Sequence, residues 1–236
     1  MNGFDLRRLG ERCVAQILPR TCGLCGAGLA TGTICAGCRD DLPWIRRACV
    51  RCALPLAGST DTVCGTCQRR EPPFFLAHAP VHYAFPIAAV VKAFKFRRKL
   101  YLGRLLADLM RPWLAERRGC FDALIPVPLH RWRHAARGFN QAAELAVHLR
   151  ATTGLPIRHC VRRVRRTRTQ SDLDAAERRR NVKGAFVVAG SPRCRHALLV
   201  DDVLTTGETC RELSLVLRRA GVEEVSVLAI ARASGI

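Results

Sequence analysis

Two adjacent carboxylates at the end of an apolar run are the first residues in this chain whose types and spacing could do chemistry. In "LLVDDVLTTGET", residues 198–209, Asp201 and Asp202 follow Leu198, Leu199 and Val200 and lead into Thr205, Thr206, Gly207, Glu208 and Thr209. Ionised carboxylates only accept hydrogen bonds, so the pair should face donors such as the vicinal hydroxyls of a ribose. The loop after them offers consecutive backbone N–H groups, three hydroxyls and a glycine that permits close approach. With the positive end of a following helix, this makes an anion cradle suited to a phosphate monoester. The order of the two parts matches a ribose 5-phosphate. Helix capping by threonine would account for the loop, but not for two carboxylates at a strand end.

A second chemistry lies in the cysteines. Eight of the 13 fall in four Cys-x-x-Cys pairs, Cys22/Cys25, Cys35/Cys38, Cys49/Cys52 and Cys64/Cys67, separated by 9, 10 and 11 residues. Two such knuckles converge on one ion in a tetrahedral zinc site, so eight thiolates predict two Zn²⁺. Four thiolates leave no open position, which makes these sites structural. A thioredoxin-like redox pair would be single, and a disulfide framework needs an oxidising compartment. Spacing permits either sequential or interleaved pairing of the knuckles. Cys13, Cys120, Cys160, Cys194 and Cys210 are scattered and expected to be small buried apolar residues.

The chain of 236 residues carries a formal net charge of +20, almost all of the excess being arginine; the lysines are Lys92, Lys95, Lys99 and Lys183. Arginine's planar fork suits phosphate, so an anionic partner is one reading and a solvated, arginine-rich surface is the other. No apolar run reaches the roughly 18–20 residues of a membrane span. The first twenty residues carry arginines among their apolar positions, unlike a signal peptide. Leu6, Leu9, Cys13 and Ile17 there fall near helical spacing. A cytoplasmic protein is expected.

These sites need elements to hold them. The cysteine pairs end before "QRREPPFF", which predicts an N-terminal helix and double ribbon over residues 1–73 and a second domain over 74–236. In that domain "HAPVHYAF", "DALIPVP", "AFVV", "HALLV" and "VSVLAIA" read as strands, and residues 86–96, 101–117, 140–150 and 209–220 as helices. Strands alternating with helices imply an α/β fold with a mostly parallel sheet flanked by helices. In such sheets ligands sit beyond the carboxyl ends of the strands, where Asp201 and Asp202 are delivered.

The stretch "LLVDDVLTTGET" resembles the PRPP-binding fingerprint of type I phosphoribosyltransferases. More narrowly, "IPVPLHRWRHAARGFNQAAELA" and "RTRTQSDLDAAERRRNVKGAF" resemble the ComF/GntX family, which joins an N-terminal zinc ribbon to a phosphoribosyltransferase-like domain. In some bacteria that family is associated with competence and DNA uptake. The resemblance implies that Asp201 and Asp202 bind the ribose hydroxyls and that residues 205–209 bind the 5-phosphate. It puts Arg137, Gly138, Asn140 and Gln141 on the pyrophosphate, with Mg²⁺ on the pyrophosphate and ribose oxygens. Residues 165–181 match the position of the flexible loop that closes over the site. Catalysis would then rest on positioning, on the Asp201 and Asp202 carboxylates near the ribose, and on arginines near the leaving pyrophosphate.

No residue pattern identifies an acceptor for the ribose. Three classes of function therefore stay open: a Mg-dependent phosphoribosyltransferase, a PRPP-responsive adaptor without turnover, and a competence factor that holds single-stranded DNA or other competence proteins. Arg162, Arg163, Arg165, Arg166 and Arg168 are the expected DNA contacts. Against a stacking surface, aromatic residues make up only 6% of the chain, whereas grooves for single strands repeat them.

Overall fold

The computed structural model describes residues 20–56, 58, 61–165, 180 and 182–233. The amphipathic segment around Leu6, Leu9, Cys13 and Ile17 lies outside them, as do Arg166, Arg168 and nearly all of the expected closing loop. The chain divides into two compact units, Met1–Leu42 and Pro43–Ile236.

In the first unit, β1 (Arg20–Thr21) pairs antiparallel with β2 (Gly28–Leu29), and the short helix α1 (Ala36–Asp40) starts from Cys35. The second unit opens with the short helix α2 (Gly65–Arg69), which follows Cys64. Next come β3 (Ala77–His78), β4 (Val81–His82), α3 (Ile87–Phe96), α4 (Leu102–Ala115), β5 (Ala123–Pro126), α5 (Arg131–Arg137) and α6 (Gln141–Thr153). The chain then forms β6 (Val161–Arg163), β7 (Phe186–Val188), β8 (His196–Leu204), α7 (Glu208–Arg219) and β9 (Glu224–Arg232).

The main sheet is parallel throughout, in the order β3-β9-β8-β5, with β4 also on β9. Its central strands are nearly all apolar because both faces are covered. Alternation sends Ala197, Leu199, Val225, Val227 and Ala229 into one core with Leu213 and Leu217 of α7. The intervening Leu198, Val200, Leu228 and Ile230 are equally buried. They face the other side, where α4 and α6 pack against the sheet and each other. On α4, Leu102, Leu105, Leu106 and Leu109 are buried at helical spacing as expected.

Four local outcomes differ from the sequence reading. "HAPVHYAF" gives two short strands interrupted at Ala79 and Pro80, both on the same edge of β9. The strand carrying the aspartates runs on to Leu204, so Asp201 and Asp202 lie within β8 rather than beyond it. Arg162 and Arg163 belong to β6, which pairs antiparallel with β7. Cys160 and Cys210 are buried as expected and Cys194 is half-buried, but Cys120 is exposed.

Candidate functional site

The cysteines pair sequentially. Cys22, Cys25, Cys35 and Cys38 converge in the first unit, and Cys49, Cys52, Cys64 and Cys67 in the second, all sulfurs of each set lying within 4.8 Å of one another. The Sγ atoms of Cys25 and Cys35 are 3.8 Å apart, and those of Cys52 and Cys64 3.7 Å. A tetrahedron with Zn–S bonds of about 2.3 Å has edges of about 3.8 Å, so both sets fit Zn²⁺. Burial opposes ionisation of Cys22 and Cys49. Backbone N–H donors, from Cys25 and Cys35 on one and from Cys64 and Cys52 on the other, outweigh it and hold these thiols down at about 6 and about 7. One thiol of each set is thus held toward thiolate, the form a metal needs, whereas hydrogen bonding to Cys25 pushes Cys38 up and burial pushes Cys52 and Cys67 up.

The Cys49/Cys52 knuckle is embedded in the α/β body. Ala53, next to Cys52, has a left-handed φ of 57° and is buried in the same core as Phe74, Leu204 and Cys210. Arg51 donates to the Phe75 carbonyl at 3.1 Å and pairs with Glu71 at 2.7 Å.

At the carboxyl end of β8, the Asp201 carboxylate accepts from the Asp202 N–H at 2.8 Å. Burial, then the neighbouring Asp202 charge, push the Asp201 carboxyl up to about 7 against the opposing pull of Lys95. Asp202 is nearly buried, 8% exposed, and pairs with Lys95 Nζ at 2.8 Å. Past the strand, Gly207 adopts a left-handed φ of 77° and caps α7. A Cβ added there would meet none of the described residues within 4 Å, so the turn opens onto free space that an anion can enter. Among the described residues Thr206 Oγ1 is buried without a protein partner, as expected of a hydroxyl kept for a ligand. Glu208 and Thr209 form the first turn of α7, where Glu208 approaches Arg211 at 3.9 Å. This set fits a phosphorylated ribose: acceptors, then an open left-handed turn, then a helix N-terminus.

The "RGFNQA" turn is built differently from a simple loop. It follows α5, and Gly138 takes a left-handed φ of 80° to end that helix. Asn140 uses its side chain twice, accepting from Ala142 N–H and donating to the Val127 carbonyl, each at 3.0 Å. Gln141 is buried and accepts from Arg137 at 3.0 Å. Asn140 and Gln141 thus shape the turn, and Arg137 is itself half-buried and held by Gln141.

The end of α3 brings the two halves together. Lys95 reaches Asp202, the Arg137 guanidinium lies over the Phe96 ring at 5.0 Å from its centre, and Arg98 covers Gly138, where an added Cβ would meet its Nη2 at 3.2 Å. Sequence reading missed Lys95. The available signal was a lysine kept at a helix end in a chain that otherwise uses arginine.

A cleft of about 980 Å³ opens beside the turn, lined by residues including His130, Arg131, Trp132, Asn140, His159, Arg162 and Arg163, with no carboxylate among its described lining residues. Trp132 is 59% exposed, and Arg131 approaches its ring at 5.5 Å. Arg163 is half-buried against Phe186 at 5.3 Å; burial lowers its ordinary value to about 10, with Arg133 adding to the effect and Asp201 opposing it. The cleft and the aspartates are therefore electrostatic neighbours.

A family profile described as a double zinc ribbon domain matches residues 13–68. Competence protein F of Haemophilus influenzae is 35% identical over 214 residues, 87% of this chain and 93% of that protein. DNA utilization protein YhgH of Escherichia coli K12 is 33% identical over 228 residues, 91% of this chain and 98% of that one. Among solved structures, a purine phosphoribosyltransferase from Pyrococcus horikoshii Ot3 is similar over 58% of this chain and 86% of that chain, with 15% identity and a TM-score of 0.35. That likeness is too distant to carry weight by itself. Fold and site define a double-zinc-ribbon protein with a parallel α/β body. With relatives this similar along nearly their whole length, the chain belongs to the ComF/GntX family of competence protein F.

Proposed function

We propose that this protein binds Mg–PRPP at the carboxyl edge of its sheet and acts in the cytoplasm in the handling of incoming DNA. The reading rests on one juxtaposition: the Asp201–Asp202 pair runs directly into an open left-handed turn and a helix N-terminus. Its relatives are named for competence and for DNA utilization, and no helix among the described residues is long and apolar enough to cross a membrane.

Asp201 and Asp202 accept from the ribose hydroxyls, and residues 205–209 receive the 5-phosphate. Arg137 and the Gly138 turn face the pyrophosphate. Bound Mg²⁺ would offset the charge of pyrophosphate as it leaves. In transfer, the bond from the anomeric carbon to pyrophosphate breaks and one to an acceptor forms. Lys95 holds Asp202 until the ligand arrives, then supplies a cation to the same edge.

Calorimetry with Mg–PRPP tests this. Asp201 releases a proton near pH 7, and the ionised form is the better acceptor. Below that value binding must first remove the proton, so affinity should rise with pH from 6 to 7.5 by up to about tenfold per unit and then level off. Absence of binding at pH 8 would refute the reading.

The basic cleft favours a second ligand, single-stranded DNA, because it pairs an exposed tryptophan with arginines and lacks acid among its described lining residues. Binding should weaken with salt at a log–log slope of roughly −0.7 per phosphate contact. Trp132→Ala should cost about 1–3 kcal/mol if a base stacks there. Filter binding that is indifferent to salt and to Trp132→Ala would remove the cleft from consideration.

A further inference from the structure

Arg232, the last residue of β9, is a cation buried in the second unit, only 6% exposed. Its Nε donates to the carbonyl of the zinc ligand Cys52 at 3.2 Å. Its Nη1 donates to the carbonyls of Leu204 at 3.1 Å, Ala233 at 2.7 Å and Thr205. One planar guanidinium thus holds the knuckle of the second metal centre and the first residue of the phosphate loop. The charges agree with this. Four thiolates around Zn²⁺ carry a net charge of −2, and a buried dianionic centre needs a nearby cation, which Arg232 supplies beside Cys52 and Cys64.

We propose that Arg232 is a positioning residue that couples the second zinc centre to the 205–209 loop. Zinc fixes the Cys52 carbonyl and keeps together the four thiolates whose negative charge holds the guanidinium in place; the guanidinium then holds the Leu204 and Thr205 carbonyls, so the loop's N–H groups point outward toward a phosphate. The functional part of this inference rests on the PRPP reading above. Thermodynamic reciprocity follows: whatever zinc does for PRPP binding, PRPP does for zinc retention.

The experiment uses the full-length zinc-loaded protein and three readouts: zinc release to a chromogenic chelator, hydrogen exchange of peptides covering residues 203–211, and Mg–PRPP affinity. In the parent protein, saturating Mg–PRPP should slow release of one of the two zincs by about 5- to 10-fold, in line with ordinary coupling strengths. Arg232→Met should abolish that protection, speed release of the same zinc, and raise exchange in 203–211 while leaving β5 unchanged. Arg232→Lys keeps the charge but cannot span the knuckle and the loop. It should retain zinc normally while exchange in 203–211 still rises and PRPP affinity still falls about tenfold. If the parent fails to bind PRPP, the functional reading fails, yet zinc release and exchange in the two variants still decide the coupling. Should Arg232→Met be unstable, Arg232→Lys alone decides. Parent-like zinc release in the methionine variant, or parent-like exchange in the lysine variant, would overturn the proposal.

Discussion

Replacing Asp201 and Asp202 together by asparagine is expected to weaken Mg–PRPP binding by at least about 100-fold while the protein stays folded. Hydrogen bonds to charged groups contribute about 1.5–3 kcal/mol each, and two weakened together exceed the roughly 2.7 kcal/mol that a 100-fold change in Kd requires. At position 202 the loss is compounded, because Lys95 loses the carboxylate it holds at 2.8 Å. The same substitution carries a sign that a structural role could not mimic. Asp201 in the folded protein titrates near 7, far above its ordinary 3.8, because burial and then Asp202 disfavour its charge. The native state therefore binds the proton more tightly than the unfolded chain, and this group's contribution to stability falls as pH rises from about 4 to about 7. Asp201→Asn alone should then melt higher than the parent at pH 8 while binding PRPP worse. A residue that is costly to the fold and needed by the ligand is the mark of a working site. Unchanged affinity in calorimetry, or a lower melting temperature for Asp201→Asn at pH 8, would contradict the assignment.

Much of this was legible in the sequence because it is local. Four Cys-x-x-Cys knuckles announce tetrahedral thiolate sites whatever surrounds them, and only their pairing needed the fold. The "HALLV" run, the two aspartates and the Thr-Thr-Gly turn lie on consecutive residues, so one strand and one helix suffice to assemble them. Asn140 and Gln141 were visible as polar residues in a turn, but not that each is engaged with the chain itself. That distinction depends on Val127 and Arg137, which are brought near by the end of β5 and by α5.

What was not legible depends on distant segments. Lys95 sits on a helix more than a hundred residues before Asp202, and its being a lysine among arginines does not say which carboxylate it would reach. Arg232 closes a strand that otherwise reads as apolar; a lone cation at the end of such a run was a signal, but its partners at Cys52 and Leu204 come from opposite ends of the chain. Arg162 and Arg163 stand out in the sequence only as expected DNA contacts, with no strand assigned to them. In the fold they become a strand through pairing with Phe186 and its neighbours, which leaves Arg163 half-buried. Tertiary pairing overrode local composition there, as it commonly does for strands.

The two metal centres should differ sharply in what their loss does. Cys22→Ser and Cys49→Ser are each expected to lower the zinc content from two ions per chain to one, read by mass spectrometry of the native protein. Structural zinc contributes apparent free energies of about 10–16 kcal/mol to small domains, comparable with the whole stability of an ordinary fold. For Cys22 that loss falls on the unit Met1–Leu42, so the α/β body should melt as before. Cys49 belongs to the other unit, where its knuckle buries Ala53 with Phe74 and Leu204 and Cys52 receives the Arg232 bond. If only about 3 kcal/mol of the zinc contribution reaches the body, its melting temperature should still fall by roughly 10 °C, since a domain of this size loses about 2–4 °C per kcal/mol. Circular dichroism at 222 nm follows the body because most of the long helices are there. Equal effects of the two substitutions on that transition would mean that the second ribbon is an appendage, whereas a large difference would show it to be part of the core that carries the aspartates.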